Sequence, residues 1–291
     1  MSRRWDAVPP QDGRRIVITG ASAGLGLETA RVLAQRGADV VMAVRNPAKG
    51  EAAAAQIHGS VEVRRLDVAD LSSVREFAAD IGPVDVLINN AGVLAVPYAL
   101  TVDGFETHLA TNHLGHYVLT NLMLAQVRDR VVVISSDAHR SADLDLSDLN
   151  WERRTYKPFT AYASSKLANL LFLAELQRRL TASGSTLRAI GSHPGSTATS
   201  ITGNTGNAFK TWVGSWGHKL AGMPVWKGAL TTLYAATMDV PGNTFIGPDG
   251  FKEFKGWPTA VGRSRDATDP ELAHDLWVVS EKLTGTSFRN E

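Results

Sequence analysis

A tyrosine and a lysine four residues apart are the side chains of this sequence best suited to acid/base chemistry. Tyr162 and Lys166 open an apolar run that ends near Leu180, and if this run is a helix, both lie on one face. An ammonium group beside a phenol lowers its pKa from about 10, so Tyr162 could exchange a proton with a carbonyl oxygen. A tyrosine and a lysine at this spacing are also common as an ordinary pair on a helix surface. Whether Tyr162 and Lys166 are catalytic therefore depends on the elements that position them.

The composition excludes several other kinds of chemistry. The 291 residues include no cysteine, which rules out disulfides, thiolate catalysis and sulfur-ligated metal sites. Hydrophobic residues make up 44%, charged residues 20% and the net charge is +1, which indicates a globular protein that does not bind nucleic acid. Residues 1–13 form a polar leader without the features of a signal peptide, and no apolar run reaches the ~20 residues of a membrane anchor. We therefore predict a soluble, cytoplasmic protein.

A glycine-rich turn near the N-terminus predicts a phosphate-binding site. A predicted strand over 15–19 leads directly into Gly20-Ala21-Ser22-Ala23-Gly24-Leu25-Gly26, and a helix follows over 27–35. Glycines allow the backbone to approach a phosphate, and the unpaired N–H groups at the start of the helix face the anion. A turn whose glycines serve packing alone is the competing explanation.

The end of the second predicted strand, 39–44, indicates which dinucleotide is preferred. In NAD sites of this kind an Asp or Glu at this point binds the ribose hydroxyls. Here Arg45 and Asn46 follow the strand, and Lys49 lies one turn into the next helix. A guanidinium group binds a 2′-phosphate through paired hydrogen bonds, so the sequence favours NADP(H) over NAD; a solvated arginine is the alternative.

Further predicted strands end in small or polar residues, at the sheet edge where α/β proteins bind ligands. These strands are 61–68, which ends in Asp67 and Val68, 84–88 before Asn89-Asn90-Ala91-Gly92, 130–136, which ends in Ser136, and 187–193 before Pro194-Gly195. Asp67 fits an adenine contact, a helix N-cap or a solvated acid equally well. With a last strand over 243–247, the pattern predicts a single α/β domain over 14–291: a Rossmann-type doubly wound parallel sheet of about seven strands with helices on both faces.

A predicted helix over 104–127 carries an asparagine among three histidines. The histidines, His108, His113 and His116, suggest a metal cluster, but no carboxylate or cysteine completes it at ligand spacing. We therefore predict no metal. Asn112 fits a buried polar residue whose side chain is satisfied by the backbone.

Apolar side chains are scattered among glycines between 196 and 225. They predict either a substrate lid or a segment that packs against the body of the domain. Helices are predicted over 227–238 and 269–283.

In their order along the chain, these motifs resemble those of the short-chain dehydrogenase/reductase family over about residues 14–285. The glycine turn, the Asn-Asn-Ala-Gly run, Ser136, the Tyr162 and Lys166 pair, and Pro194-Gly195 each fall at a strand end or on the helix that follows. The resemblance implies an NADP(H)-dependent oxidoreductase that interconverts a carbonyl and an alcohol of a small molecule by hydride transfer.

The resemblance also implies roles for individual residues. Tyr162 would be the general acid/base, Lys166 would lower its pKa and hold the nicotinamide ribose, Ser136 would bind the substrate oxygen, and Asn112 would hold a relay water. Ser136 is preferred because the family uses the second serine of such a pair, although the spacing does not exclude Ser135. At the phosphates, Gly20, Ser22, Gly24 and Gly26 would surround the pyrophosphate and Arg45 would bind the 2′-phosphate. Asp67 and Val68 would contact the adenine, Asn90 the adenosine ribose, and Thr197 and Thr199 the carboxamide. The other residues expected to contact the cofactor are Ala23, Leu25, Asn46, Ala91, Gly92, Tyr162, Lys166, Pro194 and Gly195.

The connection between Ser136 and Tyr162 departs from the common family pattern, because its 25 residues exceed what many members have. This length, Asp148-Leu149-Asn150-Trp151 and the run 162–169 are similar to the retinol-dehydrogenase-like branch, which includes WW-domain-containing oxidoreductase. That branch implies a bulky apolar substrate.

Two rival functions fit the same motifs less well. A non-catalytic NADP-binding sensor or scaffold would usually lack the tyrosine or the lysine, and an epimerase or dehydratase relative would carry a nucleotide-sugar domain. Helices near 104–127 and 160–181 fit the four-helix interface of a homodimer or homotetramer, or the core of the monomer, equally well.

Overall fold

The described residues form one sheet with helices on both faces, which confirms the predicted fold class. A computed structural model describes residues 8–195 and 223–288, and their sheet has the strand order β3-β2-β1-β4-β5-β6-β7-β8. The strands are β1 (Arg15–Thr19), β2 (Asp39–Val44), β3 (Val61–Arg65), β4 (Val84–Asn89), β5 (Val127–Ile134), β6 (Arg188–Ser192), β7 (Phe245–Pro248) and β8 (Pro258–Ala260). The first seven strands are parallel, and β8 pairs antiparallel with β7. The sequence does not predict β8, because this strand is short and begins with proline.

Alternating strand residues face two separate helical layers. Ile16 and Ile18 of β1 belong to an apolar cluster with the helices over 24–35 and 225–237, and Val17 between them belongs to a cluster with the helices over 71–80, 115–123, 158–182 and 270–284. The helices are α1 (Gly24–Gln35), α2 (Pro47–Ala54), α3 (Leu71–Asp80), α4 (Gly115–Met123), α5 (Pro158–Ala182), α6 (Val225–Thr237) and α7 (Pro270–Thr284), with a π-helical turn (Leu109–Leu114) before α4 and 3-10 turns at Leu124–Gln126, Asp137–Ser141, Phe251–Glu253 and Asp266–Thr268. Among the described helices, none has the length and apolarity needed to cross a bilayer.

The predicted helix over 104–127 begins later than its apolar pattern indicates. Gly104 has φ +79° and closes a turn with Thr101, and the Asp103 carboxylate accepts the Leu71 N–H at 2.9 Å, at the start of α3. These residues are held in a loop by a partner distant in sequence, so the helix starts only at residue 107, just before the π-helical turn that begins at Leu109.

The C-terminal helix α7 covers the outer face of α4 and α5. The Trp277 ring stacks on Phe172 at 5.7 Å and meets Tyr117 edge-on at 5.0 Å, while the Arg179 guanidinium lies 4.5 Å from its centre. The Tyr117 hydroxyl donates to the Thr286 carbonyl at 3.1 Å. The sequence alone allows α4 and α5 to form a subunit interface. In the structure, the surfaces of α4 and α5 around Tyr117 and Phe172 are instead buried under α7 of the same chain.

Removing the Trp277 side chain should destabilise the protein strongly. We expect Trp277→Ala to lower the free energy of unfolding by about 3–5 kcal/mol, because it leaves a cavity inside an aromatic cluster. Urea unfolding followed by circular dichroism measures this loss. Trp257→Ala is the matched control, since this indole is 57% exposed, and should change stability by less than about 1 kcal/mol. Similar losses for both variants would contradict the packing role of α7.

Candidate active site

Tyr162 and Lys166 lie near the start of α5, one helical turn apart. The Lys166 Nζ is 5.8 Å from the centre of the Tyr162 ring and donates a hydrogen bond of 3.2 Å to the Ile134 carbonyl at the end of β5. The side chain of Lys166 is buried, being only 5% exposed. The pair therefore sits at the carboxyl edge of the sheet rather than on an open surface.

The two serines after β5 have different partners. Ser136 lies beside the Tyr162 side chain, where it acts to lower the pKa of the phenol, and its hydroxyl accepts the Ala138 N–H at 3.2 Å. Ser135 instead donates its hydroxyl to the Lys166 carbonyl at 2.7 Å, which fastens α5 to β5. Of the two candidates, the second serine is thus the one that meets the tyrosine.

Burial shifts the pKa of both members of the pair. It raises the pKa of Tyr162, and the hydrogen bond with Ser136 offsets this only in part. It lowers the pKa of Lys166 to about 8. Burial therefore has the larger effect on the phenol, and the lowering of its pKa by Lys166 that the sequence led us to expect stays a prediction. The phenol carries its hydrogen at neutral pH.

Asn112 lies within the π-helical turn and adjoins the Lys166 ammonium. Its carboxamide accepts the Val93 N–H at 2.8 Å and donates to the Val93 carbonyl at 3.1 Å and to the Ser165 hydroxyl at 2.8 Å. A Cβ on Gly92 would lie 3.0 Å from the carboxamide oxygen and 3.5 Å from Lys166 Nζ. Gly92, Asn112 and Lys166 therefore meet at one point, and the asparagine side chain is satisfied largely by backbone.

A buried hydrogen-bond network connects the ends of β1 and β4 to Asn112. The Thr19 hydroxyl oxygen accepts the N–H groups of Asn90 and Ala91, each at 2.9 Å. His116 Nδ1 donates to the Asn112 carbonyl at 3.2 Å, and burial lowers the pKa of this ring to about 4, so its Nε2 accepts the Thr19 hydroxyl at 2.9 Å. The sequence contains no sign of this network beyond the position of Thr19 directly before the glycine turn.

The other two histidines that suggest a metal cluster have unrelated partners. His113 Nε2 lies 2.9 Å from the Ser280 hydroxyl, and His108 Nδ1 lies 2.8 Å from the Glu106 carboxylate. Across the part of the chain that the structure describes, no three histidine or acidic side chains come together as a metal site.

The glycine turn has no room for larger residues and leaves a helix start open. Gly20 has φ +68°, and a Cβ on it would lie 2.9 Å from the Ala91 Cα. A Cβ on Gly26 would lie 2.5 Å from the Asn90 side chain. The side chain of Ala23 cannot cap α1, so the first N–H groups of that helix are available to a phosphate. The turn thus fits the pyrophosphate of a dinucleotide.

Two further predicted cofactor residues already have local bonds. The Asn46 side chain caps α2 by accepting the Lys49 N–H at 3.1 Å, and Asp67 Oδ1 accepts the Ala69 N–H at 3.0 Å in the loop after β3. Asp67 is therefore not a helix N-cap, because Asp70 caps α3. Exposed Arg45, in contrast, has no ion pair with any described residue.

The remaining predicted positions follow the same edge. Val68 is buried, and Ser22, Gly24, Leu25 and Pro194 are half-buried. Gly195 has φ +67° and donates its N–H to His193 Nδ1 at 3.3 Å; a Cβ on it would lie 2.8 Å from the Phe254 carbonyl. Thr197, Thr199 and nearly all of the predicted lid at 196–225 lie outside the described residues.

Comparisons with known proteins agree with this arrangement. The model of the family described as short chain dehydrogenase matches residues 14–209. Retinol dehydrogenase 12 of Mus musculus is 47% identical over 95% of this chain and 88% of its own, and retinol dehydrogenase 13 of Homo sapiens is 40% identical over 94% and 85%. A crystal structure of an uncharacterised protein from Mycobacterium paratuberculosis is 52% identical over 98% of each chain, with a TM-score of 0.86. The chain therefore belongs to the retinol-dehydrogenase-like branch of the short-chain dehydrogenase/reductase family and is an oxidoreductase.

Proposed function

We propose that this protein transfers a hydride between NADP(H) and a bulky apolar carbonyl or alcohol, with Tyr162 as the proton donor and acceptor. The observation that carries the proposal is the half-buried Tyr162 side chain beside Ser136 and Lys166, at the sheet edge that also holds the glycine turn. When bound, the nicotinamide ring supplies the hydride. The protein supplies binding, orientation and the proton.

Tyr162 acts as an acid when a carbonyl is reduced. Because burial raises its pKa, the phenol retains its hydrogen at neutral pH until the substrate oxygen gains negative charge. The O–H bond then breaks, the proton passes to that oxygen, and a phenolate remains. The Lys166 ammonium stabilises the phenolate, so the lysine acts on the charged state formed during the reaction. A hydrogen bond from Ser136 would orient the substrate oxygen.

Cofactor binding divides between the glycine turn and the residues around Lys166. The turn and the start of α1 would hold the pyrophosphate, and Lys166 would donate to the ribose beside the nicotinamide. Arg45 would bind the 2′-phosphate, a role supported by its exposure at the end of β2.

Replacing Arg45 should change the cofactor preference. We expect Arg45→Ala to weaken NADPH binding about 10–150-fold, since hydrogen bonds to a charged group contribute about 1.5–3 kcal/mol, and to leave NADH binding within about twofold. Fluorescence titration measures both dissociation constants. Arg128→Ala is the control, because this exposed arginine lies at the opposite end of the sheet. If Arg45→Ala binds both cofactors as the wild type does, the phosphate is held elsewhere.

The relatives named retinol dehydrogenase support a bulky apolar substrate, as do the exposed rings of Tyr98 and Phe159. The test is NADPH oxidation with a panel of aldehydes, ketones and quinones that includes large apolar members. Faster turnover of such members than of small ones supports the proposal. NADPH binding without turnover of any member would favour the non-catalytic sensor instead.

A further inference from the structure

Three largely buried polar side chains next to the proposed acid have no part in the mechanism above. They are Glu106, His108 and Tyr156, called here the Glu-His-Tyr cluster. The His108 ring meets the Tyr162 ring edge-on, with 6.3 Å between their centres. We infer that this cluster positions the loop 93–96, and with it the wall against which a bulky apolar substrate binds. The inference rests on the proposed carbonyl and alcohol chemistry at Tyr162.

The hydrogen bonds of the cluster specify which atoms donate. The Val96 N–H donates to His108 Nε2 at 3.2 Å, so the ring carries its hydrogen on Nδ1 and donates to Glu106 Oε1 at 2.8 Å. The Tyr156 hydroxyl lies 2.8 Å from the same carboxylate oxygen and 3.2 Å from the Val96 carbonyl. Burial acts to raise the pKa of Glu106, but the bonds from His108 and from the Leu109 N–H lower it overall. Glu106 is therefore an ionised carboxylate that accepts hydrogen bonds from His108, Tyr156 and the Leu109 N–H.

The loop 93–96 is held at both ends by side chains. Asn112 bonds the N–H and the carbonyl of Val93, and the cluster lies within hydrogen-bond distance of both backbone groups of Val96. Between them Ala95 has φ +49°, a conformation that residues other than glycine adopt only when their surroundings impose it. The loop also follows directly on Gly92, which adjoins Lys166. Its path past the active site therefore depends on the cluster as well as on Asn112.

Aromatic rings near Tyr162 form the wall that this loop supports. Tyr98, just beyond the loop, meets Tyr156 edge-on at 5.1 Å and is 43% exposed. Phe159 lies 6.2 Å from the Tyr162 ring and is 40% exposed. Accessible aromatic surface beside an acid/base group suits an apolar substrate whose oxygen reaches the phenol.

The long connection 137–160 supplies the outer half of the cluster. Tyr156 belongs to this segment, and Trp151 packs edge-on against it at 5.6 Å. The Asn150 side chain accepts the Glu106 N–H at 3.0 Å. The long connection 137–160 thus supports the substrate wall. We assign this segment, whose length is similar to that of the retinol-dehydrogenase-like branch, a function in substrate specificity.

Tyr156→Phe tests the inference because it removes one hydroxyl and keeps the ring that contacts Tyr98 and Trp151. We expect kcat/KM for decanal to fall about 10-fold, while kcat/KM for propanal and the Kd of NADPH change by less than about twofold. Tyr117→Phe is the matched control, since it removes a buried tyrosine hydroxyl that also bonds a backbone carbonyl, beneath α7. Equal falls for both aldehydes, or no fall for decanal, would overturn the inference.

Amide hydrogen exchange gives a readout that does not depend on turnover. In Tyr156→Phe the amides of 93–96 should exchange about 10-fold faster than in the wild type, and those of Tyr117→Phe should not change. If the wild type reduces neither aldehyde, the proposed function fails, and exchange alone then decides about the cluster. Unchanged exchange in 93–96 would refute its positioning role.

Discussion

Tyr162→Phe should reduce the rate of carbonyl reduction with NADPH by about 10²–10⁴-fold, the range that a general acid contributes. The variant keeps the ring and its contacts with His108 and Phe159, and loses only the hydroxyl beside Ser136. The Kd of NADPH should remain within about twofold, because the phosphate-binding turn is untouched. Stopped-flow or steady-state measurement of NADPH oxidation gives the rate, and fluorescence titration gives the affinity.

The control for this experiment is again Tyr117→Phe, whose hydroxyl is buried under α7. It should retain the wild-type rate within about twofold. A Tyr162→Phe protein with wild-type turnover would remove the acid/base assignment altogether. Loss of both turnover and NADPH binding would show instead that the phenol is needed mainly to hold the cofactor.

Lys166→Met should lower turnover by about 100-fold, because the phenolate left by proton transfer loses the adjacent positive charge. It should also remove a pH dependence of NADPH binding. Since the pKa of Lys166 is lowered to about 8, the wild-type ammonium loses its proton as the pH rises through that value. Wild-type affinity for NADPH should therefore fall from about pH 7 to about pH 9, and the affinity of the variant should be lower at neutral pH and constant.

Stability provides an independent check on the same lysine. The unfolded lysine keeps its proton up to a pKa of 10.5, whereas the folded one releases it near 8, so the unfolded state binds more protons between these values. The free energy of unfolding should thus rise with pH across this window, and by less in Lys166→Met. Exposed Lys282, on α7, serves as the control through Lys282→Met. An identical pH dependence of NADPH affinity in the wild type and Lys166→Met would exclude the ammonium as a ribose ligand.

Local sequence was sufficient to predict the glycine turn and the strands that lead to the candidate site. The glycine turn could be recognised because positive φ at Gly20 and close approach at Gly26 are demands on single residues. The strands could be located because parallel strands covered on both faces carry continuous apolar runs, such as Ile16-Val17-Ile18 in β1 and Val86-Leu87-Ile88 in β4. The order of motifs at the strand ends then indicated the family, and the comparisons confirm it.

The sequence by itself thus determined the fold class, the family and the candidate acid/base pair, since each depends on residue type, spacing or periodicity along the chain. Only the tertiary structure decided that Thr19 is hydrogen-bonded to His116 and Tyr156 to Glu106, and that α7 covers α4 and α5. Tertiary structure also decided the sign of the Tyr162 pKa shift. The physical reason is the same in each case: hydrogen-bond partners and burial depend on residues that are distant in sequence and come together only when the sheet and its two helical layers assemble.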